Sequence, residues 1–378
     1  MSEYQYYEFQ AIDRPLTNAE MAELRALSTR ATITPNRFQN VYNYGDFKGD
    51  SVEVLSRYFD AFIYITNWGF QQLMFRLPRH SLDRALASHY EIDPNLQIWT
   101  SGDYDIVSFV WNDEEGGGWV DDVESEAWLP SLSQLRADLM AGDQRSLYLG
   151  WLAAAQVGEL DDDEQEPPVP PGLRSLSAPL KSLTDFMGLD ADLVAVAAEQ
   201  SGTLREQQPA PKALRAWIQQ LSEPDKDDWL SRLIIGTEPP PVISRELLQR
   251  YRQEHPMPDA PLASSKRRTV AELLSLANGR AEDRSRAEAE RSAQERNQVL
   301  DRLAAHEVET WITVETLIAT KRPASYDEAV SLLTDLRDLA RREHRAEPFT
   351  SQLRELHRRH AAKPSLLRRL DHAGLLVD

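Results

Sequence analysis

The amino-acid sequence predicts an α+β N-terminal domain with a mostly antiparallel sheet, then an all-α region with one very long helix and a C-terminal helical bundle. Three observations predict this class. Strand-like and helix-like segments alternate over residues 1–125, whereas residues 173–378 show only helical periodicity. Residues 269–321 contain no proline and only one glycine, so they predict a helix of unusual length.

Residues 1–158 form the predicted α+β domain. Thr17 and Glu20 have the spacing of a capping box and place the start of a helix there. Residues 66–69 and 100–103 are short segments that contain glycine between apolar runs, and they predict two β-hairpins. We expect the helices to lie on one face of the sheet, and a ferredoxin-like topology is one candidate.

Two regions separate this domain from the long helix. Residues 159–172 combine acidic residues with prolines, a composition typical of a linker, so we expect a domain boundary there. Residues 173–262 show short helical segments between loops that contain proline or glycine, and they predict a helical domain.

Residues 267–322 predict the long charged helix, which begins at a capping box formed by Thr269 and Glu272. Large apolar residues occur only near its two ends, and residues 280–298 are polar apart from alanines. We therefore expect one end to pack on the middle helices, the other end on the C-terminal helices, and residues 280–298 to lie in solvent. A two-stranded coiled coil is the alternative, although no heptad of large apolar residues continues through the middle.

Residues 323–378 predict a C-terminal helical bundle. Ser325 and Glu328 have capping-box spacing, and further helices are expected after Pro348 and Pro364.

Part of this bundle is similar to a known family. The segments IATKRP (318–323), YDEAVSLL (326–333), DLRDL (335–339) and KPSLLRRLD (363–371) resemble the tail of bacterial SWIM zinc-finger proteins. The resemblance implies a terminal helical module in a nucleic-acid-handling system. It does not bring the zinc site, because the chain contains no cysteine. Residues 4–15 also resemble the opening of an uncharacterised bacterial family, which implies no activity.

Composition limits the classes of partner. The net charge is −19, and residues 101–170 hold 17 acidic residues against two basic ones, so the protein as a whole is expected to repel nucleic acid. Residues 341–372 are the exception, with nine basic and four acidic residues. No apolar run is long enough to span a membrane, and the N-terminus does not resemble a signal peptide. The lack of cysteine excludes disulfides and cysteine-ligated zinc and fits a cytoplasmic protein.

The sequence contains no glycine-rich phosphate-binding motif, nucleophile elbow, zinc-protease motif or EF-hand loop, and no cofactor is expected. Asp46 and Lys48 are the weak catalytic candidates, because an acid and a lysine two residues apart could hold a metal ion and polarise a phosphate in a nuclease. Asp13 or Glu53 would supply a further carboxylate. An exposed turn is the simpler interpretation of Asp46 and Lys48.

Two further pairs could ligate a metal ion. Asp103 and Asp105 could bind a divalent cation through oxygen, although Asp103 is also expected in a hairpin turn. His357 and His360 lie three residues apart on one helix face, but no third ligand accompanies them, so no metal site is expected.

Several surface residues are candidates for binding a partner. Arginines recur at helical spacing in the tail, and two tryptophans lie beside acidic residues. The candidates are Arg341, Arg345, Arg354, Arg358, Trp119 and Trp128. The acidic stretches 113–126 and 159–166 could meet a basic partner, or they could simply be solvated.

The sequence therefore favours a non-enzymatic interaction or scaffold protein that presents helical surfaces to protein partners, as a subunit of a bacterial nucleic-acid-handling or defence assembly. A metal-dependent nuclease with a site in the N-terminal domain is the alternative, and nucleic-acid binding through the basic C-terminal helices is a third hypothesis.

Overall fold

The computed structural model describes residues 3–112, 122–203, 211–235, 240–255 and 267–375. The chain forms two compact units, Met1–Ala281 and Glu282–Asp378. The first unit holds the sheet, and the second unit is helical. The predicted fold class, an α+β part followed by a helical region with one long helix, is confirmed.

One sheet organises the first unit. In the described part of the chain its seven strands are β1 (Gln5–Gln10), β2 (Thr32–Thr34), β3 (Arg37–Tyr42), β4 (Ala61–Thr66), β5 (Phe70–Pro78), β6 (Leu96–Ser101) and β7 (Tyr104–Asn112). Their order is β2-β3-β1-β4-β5-β7-β6, and all neighbours are antiparallel. The first four strands occur in the chain as β-α-β-β-α-β, with one helix between β1 and β2 and another between β3 and β4, and they lie in the order β2-β3-β1-β4. This antiparallel arrangement is that of a ferredoxin-like topology, so that candidate is confirmed for this part of the sheet, which β5, β7 and β6 extend.

Apolar side chains line both faces of this sheet. In β4, Phe62 belongs to one apolar core, and its neighbour Ile63 belongs to the other. Helices α1 (Asn18–Leu27) and α2 (Ser51–Tyr58) pack on the Phe62 side. The expectation of helices on one face holds for α1 and α2 but is wrong for the whole sheet, because helices that follow β7 in the chain cover the face that carries Ile63.

The next helices of the first unit come after β5 in the chain, the first of them before β6 and the others after β7. They are α3 (Arg84–Ala87), α4 (Asp122–Leu132), α5 (Gln134–Met140), α6 (Arg145–Gln156), α7 (Ala178–Phe186), α8 (Ala191–Glu199), α9 (Pro211–Gln220), α10 (Glu223–Ile235) and α11 (Pro240–Glu254). Helix α6 is buried along most of its length, and it packs with α4, α5, α7 and α8 in the core that contains Ile63.

The acidic, proline-containing segment 159–172 lies within the first unit, although its composition is that of a linker. Gln165 forms an isolated β-bridge with Thr269. The backbone N–H of Glu166 donates to the carbonyl of Arg268 at 2.8 Å, and Glu166 itself is 1% exposed. These bonds hold the segment against the residues that precede the long helix.

The long helix, α12 (Val270–Ala305), begins at the predicted capping box. Glu272 N–H donates to Thr269 Oγ1 at 3.2 Å, and Thr269 N–H donates to Glu272 at 3.0 Å. The helix is shorter than the predicted range 267–322, because the backbone leaves the helical conformation at His306 (φ −128°, ψ 22°). A new helix, α13 (Glu307–Ala319), starts there with two glutamates in its first turn, where negative charge is favourable.

The ends and the middle of the long helical region differ in burial as expected. Val270, Leu273 and Ala277 are buried in the core of the first unit. Between residues 280 and 298 every side chain is exposed except Ala281 and Arg296, which are half-buried. The expectation that this middle stretch lies in solvent is confirmed.

The second unit is a helical bundle with its own apolar core. Its other helices are α14 (Pro323–Arg342), α15 (Ala346–Arg359) and α16 (Pro364–His372). Val314 and Ile318 of α13 pack in one cluster with Leu333, Leu353 and Leu366. No helix in the described part of the chain has the length and apolar character that crossing a membrane requires.

Candidate functional site

The weak catalytic candidates Asp46 and Lys48 lie in the loop between β3 and α2, where both are exposed. Asp46 accepts a hydrogen bond from Gln5 Nε2 at 2.9 Å. Asp13, which could have supplied a further carboxylate, accepts two hydrogen bonds from Arg136 at 2.8 and 2.6 Å. Among the described residues, no group of three or more acidic or histidine side chains is placed to hold a metal ion.

The other two candidate metal pairs have partners of their own. Asp105 is buried and accepts a hydrogen bond from the Thr100 hydroxyl at 2.8 Å. Asp103 lies in the turn between β6 and β7, as its hairpin interpretation predicts. His360 is hydrogen-bonded to Glu315 at 2.9 Å.

Two of the four candidate arginines in the tail are engaged by carboxylates. Arg345 forms an ion pair with Glu307 at 2.8 Å. Arg358 forms one with Glu355, one turn earlier on α15. These contacts neutralise part of the basic ridge that the sequence predicts, and they weaken its attraction for phosphates.

Arg341 and Arg354 are both exposed. In the described part of the chain neither arginine forms an ion pair. They therefore remain the basic side chains of the predicted set that could meet an acidic partner.

The two candidate tryptophans have different outcomes. Trp128 of α4 is half-buried and packs on Phe186 of α7, with the ring centroids 5.1 Å apart. The expectation that Trp128 is an exposed surface residue is wrong, because the helix turns its ring toward the core while Glu126 is exposed. Trp119 lies outside the described residues.

Asp60 is the most enclosed acidic residue of the sheet region. It accepts hydrogen bonds from the backbone N–H groups of Ile12 and Asp13, at 2.6 and 2.9 Å, and from Arg76 at 2.8 Å. Burial acts to raise the pKa of Asp60, but the charge of Arg136 and these hydrogen bonds outweigh it and lower that pKa below its ordinary value. Both carboxylate oxygens of Asp60 accept hydrogen bonds from these donors. We therefore interpret Asp60 as a residue that stabilises the fold.

A second buried charge cluster joins the 159–172 segment to the start of α12. Arg268 donates two hydrogen bonds to Glu166, both at 2.8 Å, and a third to the carbonyl of Val196 at 2.8 Å. The Tyr148 hydroxyl also donates to Glu166. Burial, followed by the negative charge of Glu166, raises the pKa of Tyr148. The hydrogen-bonding groups of this cluster are therefore paired with one another.

Charged side chains of helix α10 face the neighbouring helix α11. Arg232 forms an ion pair with Glu246 of α11 at 2.9 Å, and Asp225 forms one with Arg250 of α11 at 3.1 Å. None of the 13 residues of α10 is fully buried. The ion pairs therefore attach one side of α10 to α11, and among the described residues the other side of α10 is exposed.

The exposed side of α10 carries large apolar residues. Leu230 is 55% exposed, Ile234 is 82% exposed and Ile235 is 71% exposed. Leu233 is also exposed, and so is Ile218 on α9. Single exposed apolar side chains are ordinary on protein surfaces, whereas several on one short helix make up an exposed apolar patch.

Helical spacing places four residues in one outward stripe along α10. Glu223, Asp227, Leu230 and Ile234 follow the spacing i, i+4, i+7 and i+11, which keeps side chains on one face of a helix. The stripe is acidic in its first half and apolar in its second half. We call these four residues the α10 stripe.

A small core supports the α10 stripe from behind. Trp217 of α9 is buried, and its indole N–H donates to Glu254 of α11 at 2.6 Å. The Trp217 ring also meets Tyr251 edge to face, with the centroids 5.4 Å apart. Ile243 of α11 is fully buried. These contacts fix α9 and α11 as the base on which α10 lies.

Comparisons with known proteins add no family to this description. No protein-family model matches the chain, and no match was found among curated proteins or solved structures.

Sequence reasoning identified α10 as a helix but missed its outward apolar face. The signal was present as the run of large apolar residues at 229–230 and 233–235. That run alone does not say which side of the helix faces the core, because the orientation depends on Glu246 and Arg250 in the next helix.

Proposed function

We propose that this protein is a non-enzymatic interaction protein that binds a protein partner through its helical surface, with the α10 stripe at the centre of the contact. One observation carries the proposal. Helix α10 directs charged side chains toward its neighbour and leaves Leu230, Ile234 and Ile235 in solvent.

The energetics of α10 support this proposal. Burial of a leucine or isoleucine side chain contributes about 1.5–3 kcal/mol, whereas ion pairs near the surface contribute much less. Covering Leu230 and Ile234 would therefore add more stability than the ion pairs between α10 and α11 contribute. A partner that covers these side chains would supply the same apolar burial in the observed orientation, which explains how the exposed face can be retained.

The wider setting belongs to the same proposal. We place the protein in the cytoplasm, because a chain without cysteine needs no oxidising compartment. We also propose that its partners belong to a bacterial nucleic-acid-handling or defence assembly, on the resemblance of the tail to bacterial SWIM zinc-finger proteins.

The double variant Leu230→Ser/Ile234→Ser tests the proposal. The full-length protein would be recovered from its native cells, and the associated proteins would be identified and quantified by mass spectrometry. We expect a stoichiometric partner with the unchanged protein and at least a tenfold loss of that partner with the double variant, because the apolar contact is removed.

Leu276→Ser provides the matched control. Leu276 is 51% exposed on α12 and belongs to no exposed apolar group of that helix in the described part of the chain, so its replacement should leave the partner bound. Recovery of the unchanged protein as a free monomer, or equal recovery of the partner with both variants, would contradict the proposal.

A further inference from the structure

We propose that the partner segment that binds the α10 stripe is a basic amphipathic helix. This inference rests on the proposed function and names the chemistry of the partner. The order of residues along the stripe is the observation that carries it.

The shape of the stripe fits a helix. From Glu223 to Ile234 the stripe covers three turns of α10, or roughly 16 Å at 1.5 Å per residue. A partner helix that lies along it can match this length with anchors at i, i+3 or i+4 and i+7. An added β-strand would need an exposed sheet edge, which α10 does not offer.

The charges of the stripe select a basic partner. Glu223 and Asp227 are both exposed at its acidic end, and Asp228 beside them has a side chain that is 67% exposed. Lys226 forms an ion pair with Glu223 at 2.9 Å, and it is the one basic residue in the first two turns of α10. Arg232, which lies between Leu230 and Ile234 in the sequence, is paired with Asp228 and with Glu246 of α11, so the local balance remains negative.

The same charges disfavour other apolar surfaces. A helix that binds an anionic membrane carries lysine and arginine beside its apolar face, whereas the residues beside this face are acidic. A second copy of α10 would bring its own acidic half against the stripe, at an electrostatic cost. A helix with leucines on one face and lysines beside them complements both halves of the stripe.

Two synthetic peptides test the inference with the full-length protein. Each is an 18-residue helix with leucines on one face, and the remaining positions are alanine with either lysine or glutamate. Binding is measured by fluorescence anisotropy at low and at moderate salt. We expect the lysine peptide to bind at least tenfold more tightly than the glutamate peptide and to lose most of that advantage at the higher salt concentration.

Three variants locate the binding. Glu223→Gln/Asp227→Asn should reduce the advantage of the lysine peptide about tenfold, whereas Glu288→Gln/Glu290→Gln, which removes two exposed charges from α12, should leave it unchanged. Leu230→Ser/Ile234→Ser should weaken both peptides. Circular dichroism and thermal melting confirm that each variant is folded.

The outcomes separate this inference from the proposed function. Equal binding of both peptides, with loss of both in Leu230→Ser/Ile234→Ser, would overturn the basic partner and leave the interaction site in place. A preference for lysine that survives this double variant would place the binding elsewhere and would also overturn the inference. Binding of neither peptide, concentration-dependent dimerisation through the stripe or attachment to anionic vesicles would overturn it as well.

Discussion

Removal of the Arg268 side chain is expected to destabilise the first unit strongly. Arg268 makes two hydrogen bonds to Glu166, and both side chains lie almost entirely inside the protein. Arg268→Met keeps the length of the side chain but leaves the Glu166 carboxylate buried with only the Tyr148 hydroxyl as a side-chain partner. Breaking a buried ion pair in this way costs about 3–5 kcal/mol, which is a large share of the stability of an ordinary domain.

A double variant shows how much of this cost comes from the orphaned charge. In Glu166→Leu/Arg268→Met no charge remains, and the loss is confined to the unpaired Tyr148 hydroxyl and Val196 carbonyl, about 1–3 kcal/mol for each group. The Val196 carbonyl is unpaired in both variants, so the comparison sets the Tyr148 hydroxyl against the buried Glu166 charge. The double variant should therefore be more stable than the single variant Arg268→Met, although it removes more polar groups. Together with the single variant Glu166→Leu, these two variants complete a double-mutant cycle that measures the coupling of the two side chains.

Urea unfolding followed by tryptophan fluorescence measures both variants. Eight of the nine tryptophans belong to the first unit, so the signal reports mainly on that unit. The midpoint of Arg268→Met should fall by about 1–2 M urea, given the usual dependence of stability on urea. A single variant as stable as the unchanged protein, or a double variant less stable than the single variant, would refute the reasoning.

Two further predictions concern acid stability and close packing. Asp60→Asn should cost about 3–5 kcal/mol at pH 7, because it removes the carboxylate buried between two arginines. The pKa of Asp60 is lowered in the folded state, so its contribution is present above pH 3.8 and is lost as the pH falls through the folded value. Urea unfolding at several pH values should therefore show the two proteins converge below pH 3.8, and a constant difference would contradict this origin. Gly150→Ala should destabilise the protein by about 1–2 kcal/mol, because a Cβ atom there would lie 3.0 Å from the buried Phe109 ring. Gly279→Ala is its control, because the space around Gly279 is open. Thermal unfolding should show a gain in stability of about 0.5–1 kcal/mol for this variant. A change in stability of the same sign for both variants would exclude the packing explanation.

Local features of the fold could be predicted from the sequence. The two hairpins occur where the glycine-containing turns indicate them, and Gly69 and Gly102 adopt positive φ angles of 91° and 59°. The capping boxes at Thr17 and Thr269 form as their spacing predicts. In each case the residues that decide the structure lie within four positions of one another, so the sequence contains the whole signal.

The Ser325–Glu328 spacing shows where such local signals fail. Helix α14 begins at Pro323, so Ser325 lies inside its first turn and does not cap it. Proline is favoured at the first position of a helix because its φ angle is already suitable and its missing N–H has no partner to lose there. Two local signals competed, and the proline determined the start.

Interactions between distant residues account for the features that the sequence did not indicate. The prolines and acids of residues 159–172 indicate a linker, yet Glu166 is paired with Arg268, 102 positions later. Asp13 is paired with Arg136, 123 positions later. A count of charges treats these side chains as solvated, whereas in the structure they form ion pairs between segments that are distant in the sequence. The acidic composition therefore overstates the charge that a partner would meet.

Helix α10 shows why the candidate site depends on such pairing. Its sequence contains both an acidic part and an apolar part, and either could face α11 in a helix of the same residues. The basic Arg250 and the acidic Glu246 of α11 bind the charged face of α10, so the apolar face is left outside. If α11 presented leucines in their place, the same α10 would bury Leu230 and Ile234 and would belong to the core. The site is therefore a property of two helices together, and reversing the charges of Glu246 and Arg250 should disturb the α10 stripe without any change in the residues that form it.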